Sequence, residues 1–279
     1  MKIIIALFFL IILSGVCQAQ YYYKDLVVTG RTVAQWKTYR DSKVKGVRLI
    51  SMEANGQPSE GFAGDQTCSA DLSRITTHTR SSGTPESWIL ANYSPTGLPV
   101  KIVDTSDTYQ SVSEYQFDPQ SRLTTITNTS TETDNHAKEV ETHLWTYTAG
   151  GKPSAMLKIR NGKDTTFVRF VTDEKGNIAE ERATRNGSAL PAVYYYYDDN
   201  GRLTDIVRFN ARAGRLLPDY IFEYEDSDRP ASMLVVPEGS NDYQKWVYSY
   251  SDKGLKVKES CFNRQKQLLG MIEYQYIYK

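Results

Sequence analysis

A short turn motif recurs along the chain: an aromatic strand end, three residues, a Gly or other small turn residue, one further residue, then an apolar residue or Pro. The clearest copy is Tyr197-Asp198-Asp199-Asn200-Gly201-Arg202-Leu203. Related copies begin at Met52, Tyr93, Phe117, Tyr147, Thr172 (with Phe170 on the same strand face), Tyr224 and Tyr250, so one supersecondary unit of about 26 residues is reused. A short hairpin loop of this kind needs one residue at positive φ, which glycine reaches without steric cost. Gly56, Gly97, Gly151, Gly176, Gly201 and Gly254 supply it, and Ser121 and Asp228 take the place in the other copies. The chain resumes with Pro58, Pro99, Leu123, Pro153, Ile178, Leu203 or Pro230, and Pro is tolerated at the first residue of a strand.

Between the turns, apolar and aromatic residues repeat with period two, the spacing of a strand rather than a helix. One face carries Ile89, Ala91 and Tyr93; Tyr115 and Phe117; Trp145 and Tyr147; Val168 and Phe170. The same parity continues through Val193, Tyr195 and Tyr197; Tyr220, Phe222 and Tyr224; Trp246, Tyr248 and Tyr250; Ile272, Tyr274 and Tyr276. A second set of reversals at Asn161-Gly162, Asn186-Gly187, Ala213-Gly214, Glu238-Gly239 and Asn263-Arg264 makes each unit two strands and two turns. A helix is predicted over Thr32 to Ser42, ahead of a strand from Val44 to Met52, and Glu60 to Trp88 reads as a loop-rich insertion. The expected fold is therefore all-β: an antiparallel meander of repeated β-hairpins forming a long twisted or coiled sheet, with a short N-terminal helix. Residues 20–279 make one domain, of which 20–90 is less regular and 91–279 holds the repeats.

Lys2 followed by the apolar run Ile3 to Leu13, and then by small and polar residues up to Ala19, reads as a signal peptide over residues 1–19 with cleavage before Gln20. Lipidation at Cys17 is the less favoured processing, because Val16 is branched where such signals prefer a small residue. Past Gln20 no stretch is long and apolar enough for a membrane helix. Acidic and basic residues balance at 33 each, so no net field favours nucleic acid. After cleavage Cys68 and Cys261 remain, an even count in a compartment that permits disulfides. A Cys68–Cys261 bridge is one reading; two separate half-buried thiols is the favoured one, since a linear array would hold its ends apart.

Tyr196-Tyr197-Asp198-Asp199-Asn200-Gly201-Arg202-Leu203-Thr204 resembles the YD repeat of Rhs-type and teneurin-like proteins, closely in that copy and more loosely from about residue 90 onward. The whole chain is also similar to secreted bacterial proteins of unassigned function, typical of Bacteroidetes, that carry degenerate repeats of this kind. In the Rhs family such repeats build a β-sheet shell around a toxin or present a surface. With Met271 to Lys279 as the final strand, the resemblance implies a shell or sheet fragment without a toxic payload.

Chemistry-bearing patterns are few. His78, His136 and His143 are the histidines; His136 falls in a polar loop and His143 shares strand parity with Trp145. No HExxH, paired Cys-x-x-Cys, nucleophile elbow, P-loop or dinucleotide fingerprint is present, so no catalytic, cofactor or metal residue is assigned. Carboxylates such as Asp198, Asp199, Glu223, Glu225 and Asp226 sit near hairpin ends, where they form turns. Tyr194 and Tyr196, which point away from the common face, and the cluster Tyr21 to Tyr23 are the candidate ligand contacts, because sugars stack on exposed rings. The sequence thus points to an exported, non-catalytic β-repeat protein with a structural or interaction role at the cell envelope or outside the cell, without cofactor, and with a protein or glycan partner at the cell surface. A carbohydrate- or peptide-binding module is one alternative. An outer-membrane β-barrel is another, suggested by Ile272, Tyr274, Tyr276 and Tyr278 as a lipid-facing terminal strand and opposed by charge on both strand faces.

Overall fold

In the computed structural model, the described residues are 20–211, 213–237 and 242–279. The signal peptide, Cys17 and the Glu238-Gly239 reversal lie outside them. The strands are β1 (Val44–Glu53), β2 (Ala63–Cys68), β3 (Arg74–Ser81), β4 (Thr84–Tyr93), β5 (Pro99–Ser106), β6 (Tyr109–Phe117) and β7 (Leu123–Glu132). There follow β8 (Lys138–Tyr147), β9 (Pro153–Arg160), β10 (Asp164–Thr172), β11 (Ile178–Arg185), β12 (Ser188–Ala189) and β13 (Val193–Tyr197). The last are β14 (Leu203–Asn210), β15 (Arg215–Tyr224), β16 (Pro230–Val235), β17 (Gln244–Tyr250), β18 (Lys256–Phe262) and β19 (Leu268–Tyr278).

Every neighbour in the meander pairs antiparallel, and β1 pairs with both β2 and β19, so the sheet returns on itself. The two-residue β12 is a side pairing on β11, which leaves an 18-strand β-barrel. Closure corrects the expectation of a long twisted or coiled sheet, and it removes the exposed edges that a long meander would otherwise present.

The turns do what the glycine spacing predicts. At Asp198 the N–H bonds the Arg202 carbonyl and Gly201 N–H bonds the Asp198 carbonyl, with Gly201 at φ +76°. That is a type I turn ended by a left-handed residue, and the ladder slips by a bulge between Tyr196 and Tyr197. The same slip recurs beside Tyr93, Phe117, Tyr147, Thr172, Tyr224 and Tyr250, always at one rim. The Met52 copy has the same local geometry, but strand alternation puts it at the opposite rim, out of phase with the rest; the Ser69–Arg74 turn holds its expected place. Opposite-rim reversals at Asn161-Gly162 and Asn186-Gly187 have positive φ at both residues, as a two-residue hairpin loop requires.

Glu60 to Trp88 is not a loop-rich insertion. It contains β2 and β3, whose Thr, Gln and Gly residues lack the aromatic alternation that marks the other strands. The helix is also longer than predicted. Its first turns, Tyr22–Val27, are wound as π-helix, and α1 (Val28–Asp41) continues from them until Lys43 at φ +56° turns the chain into β1.

The common face of the strands points into the barrel. Val168, Val193, Tyr195, Ile206, Phe222 and Trp246 are buried there. An 18-strand ring leaves room that side chains alone do not fill, and the helix occupies it. Tyr21 and Tyr23 pack in one aromatic cluster with Trp145, Tyr195 and Phe222, while Trp36 and Tyr39 pack in a second with Val47, Leu49 and Tyr274. The helix thus bridges two walls of the barrel from within.

Candidate functional site

The rim that bears the YD-like turns is an interlocked ring. Tyr147 donates its hydroxyl to the Leu123 carbonyl, Tyr197 to Ile178, Tyr224 to Leu203, Tyr250 to Pro230 and Tyr276 to Lys256. Each of these five tyrosines therefore ties to the first strand residue after the preceding turn, a bond that Phe117 lacks the hydroxyl to make. Arg122, Arg202 and Arg229 pair with Asp118, Asp198 and Glu225 across their own turns and stack over Tyr147, Tyr224 and Tyr250 of the next unit. The Tyr, Asp, Gly and Arg of the motif are thus repeat-to-repeat joinery.

Polar chemistry gathers inside, where the first turn of the helix meets the wall. Asp25 accepts from His143 Nδ1 at 2.6 Å and from Trp145 Nε1 at 3.0 Å, while His143 Nε2 donates to Glu141 at 3.0 Å and Lys158 Nζ pairs with Glu141. Burial opposes a charge on His143, but the two carboxylates outweigh it and raise the imidazole to about 9. Burial likewise opposes charge on Glu141, yet its bonds from His143 and Lys158 hold it at about 2. Both ring nitrogens of His143 therefore donate at neutral pH, which suits a clamp between helix and wall and not a general base.

Next to this clamp, Glu181 is fully buried and accepts from the backbone N–H groups of Gln20 (2.7 Å) and Tyr22 (3.1 Å) and from the Tyr195 hydroxyl (2.8 Å). Asp219 pairs with Arg208 and takes the Gln20 side-chain amide. Farther along the inner face, Arg160–Glu139 and Arg185–Asp164 pairs lead toward the other rim and become more exposed.

The residues singled out from the sequence are scattered. Tyr196 is exposed and Tyr194 half-buried, both on the outer surface of β13 opposite Asp205 and Val207. Cys68 and Cys261 are free and fully buried rather than half-buried, on β2 and β18 with β1 and β19 between them. The ring closure brings these ends near one another, so the reason for separation is the intervening strands, not a linear array. Burial pushes the thiols up to about 11 and about 12. His136 is a turn residue at φ +56°, and His78 stacks on Trp88 outside the barrel with Glu86 at 3.0 Å. Among the described residues no group of three or more His, Cys, Asp or Glu side chains could hold a metal ion. Glu141, Lys158 and Glu181 carry only the signal of a charged residue at an inward strand position, and Asp25, on the helix, carries none in the sequence.

Ile272 and Tyr274 face the lumen and are buried, which corrects their reading as lipid-facing. The outer face carries cross-strand pairs at mid-strand, Arg48–Asp65 and Lys101–Glu114, and Lys245–Glu223 beyond them.

No family model matches the chain, and no curated protein matches it. Among solved structures, a porin-like protein from Bacteroides uniformis is 8% identical, covering 85% of this chain and 97% of that one at a TM-score of 0.40. A porin-like protein from Bacteroides vulgatus is 12% identical over 85% of this chain and 98% of that one, at 0.30. The Photorhabdus luminescens Tc holotoxin pore is 10% identical over 80% of this chain, at 0.30, and the chain spans only 15% of that much longer one. Likenesses at this level assign no function.

Proposed function

We propose that this protein is exported and serves a non-catalytic structural or interaction role at the cell envelope or outside the cell, as a β-shell filled by its own N-terminal helix. The observation that supports this most is the disposition of polarity. The helix and the aromatic and titratable residues that hold it occupy the inside, while the charge pairs Arg48–Asp65 and Lys101–Glu114 lie outside. A lipid-facing barrel needs an outer band free of such charge, whereas these pairs share the outer face with the exposed Leu144, Phe167, Val247 and Ile277. The titratable cluster inside is spent on holding the helix. The test is purification of the exported protein without detergent, followed by assays for hydrolase and transferase activity. An activity abolished by Glu141→Gln in a folded protein would reject the proposal, and extraction only with detergent would favour the membrane barrel, whose ring closure is already present.

Tyr196, 48% exposed on the outer wall, supports carbohydrate or peptide binding as a second reading. Glycan-array or pull-down signal that disappears with Tyr196→Ala, without change in Tm, would establish it.

A further inference from the structure

Gln20, at the start of the helix that enters the barrel, is held from several sides. Gln20 is 3% exposed, its backbone nitrogen lies 2.7 Å from a carboxylate oxygen of Glu181, and its side chain is held by Asp219. Glu181 is 0% exposed. The other acids around it have cationic partners: Asp25 has His143, Glu141 has His143 and Lys158, and Asp219 has Arg208. The donors hydrogen-bonded to Glu181 are neutral N–H and O–H groups, the Lys24 ammonium acts on it only through its field, and a carboxylate taken out of water without a bonded cation is costly.

Gln20 also has a φ of +98°, in the region that favours glycine. The angle is defined by the carbonyl carbon of the residue before it. A Gln20 that begins the chain has no such angle, so the strain vanishes when the Ala19–Gln20 bond is cut. The sequence places a small residue, Ala19, at that position, after an apolar run suited to a leader.

We propose that a signal peptidase hydrolyses the Ala19–Gln20 peptide bond and that the new α-ammonium of Gln20 forms a buried ion pair with Glu181, which completes the helix-filled barrel. One water is consumed: the C–N bond breaks, the hydroxyl goes to Ala19 as a carboxylate, and the amine of Gln20 takes up a proton. The 2.7 Å separation is that of a charge-assisted bond. The cleavage step rests on the reading of the protein as exported; the ion pair does not.

The test uses chain 20–279 released from a fusion by a protease that cuts immediately before Gln20, against the same chain retaining Ala19, each with and without Glu181→Gln. The form starting at Gln20 is expected to melt roughly 5–10 °C higher at pH 7, and the gap should vanish in the Glu181→Gln pair. Equal melting of the two forms, or a gap that persists without Glu181, overturns the ion pair. If Glu181→Gln prevents folding, slow acylation of the Gln20 amine by an amine-reactive ester in the folded wild type, against fast acylation in urea, supports the pair, and equal rates overturn it. Intact mass of the exported protein should give an unmodified Gln20 start. A lipidated Cys17 or a cyclised Gln20 overturns the proposal, and a leader retained in the cell overturns export and processing while leaving the in vitro comparison to decide the pair.

Discussion

Replacing His143 by Gln should change how the stability of this barrel depends on pH. In the fold His143 lies between Asp25 and Glu141 and titrates near 9, against an ordinary value of 6.5. A folded pKa above the unfolded one means that the contribution is fully present below pH 6.5 and is lost as pH rises through 9. The difference is worth about 3 kcal/mol, and Glu141, depressed by the same contact, adds no second share. For a chain of this size that is roughly 6–12 °C in Tm. His143→Gln keeps a donor but not the charge, so its Tm should fall below wild type by about that amount at pH 6, and the two curves should converge as the pH passes 9. The assay is thermal unfolding followed by tryptophan fluorescence, sensitive here because Trp145 donates to the same Asp25. Since other groups titrate in both proteins, the difference between the curves isolates His143. A gap that is constant from pH 6 to 10, or absent, would refute the clamp.

The remaining expectations are more local. Tyr224→Phe removes the hydroxyl that bonds the Leu203 carbonyl and should cost about 1 kcal/mol, with faster amide exchange at the adjoining turn; an unchanged Tm and exchange pattern would speak against the rim interlock. Gly97→Ala places a methyl carbon 2.2 Å from the Trp36 ring at a φ of +85°, so it should cost more than about 2 kcal/mol and alter the near-UV dichroism. Gly187→Ala, also at positive φ but with open space around it, should cost only about 1 kcal/mol, and equal effects of the two would dismiss the Trp36 contact. Cys68 and Cys261 should resist a thiol reagent in the native protein and both react in denaturant; a shift in gel mobility on reduction would contradict their free state.

Strands, turns and the inward face were legible in the chain because each depends on neighbours a few residues apart. Period two at Tyr195 and Tyr197 selects a strand and a face, and Gly201 supplies the φ that its turn demands. Local signals misled where packing overrode them. Tyr21 to Val28, aromatic and branched, lies ahead of the helix predicted from Thr32, yet it winds into helix with its rings packed against the inner wall. Glu60 to Trp88 reads as irregular, yet its polar strands are held by pairing on both edges.

The linear order of residues therefore sets the building block, its alternation of inward and outward residues, and the positions at which it folds back. The tertiary structure decided that the array closes, because β1 meets β19 only when the twist and stagger of every intervening hairpin have accumulated to a full circle. It also decided that Asp25 meets His143 across 118 residues and that Gln20 meets Glu181 across 161. No local pattern encodes such meetings: they arise from the geometry of a ring whose lumen receives the helix that precedes it.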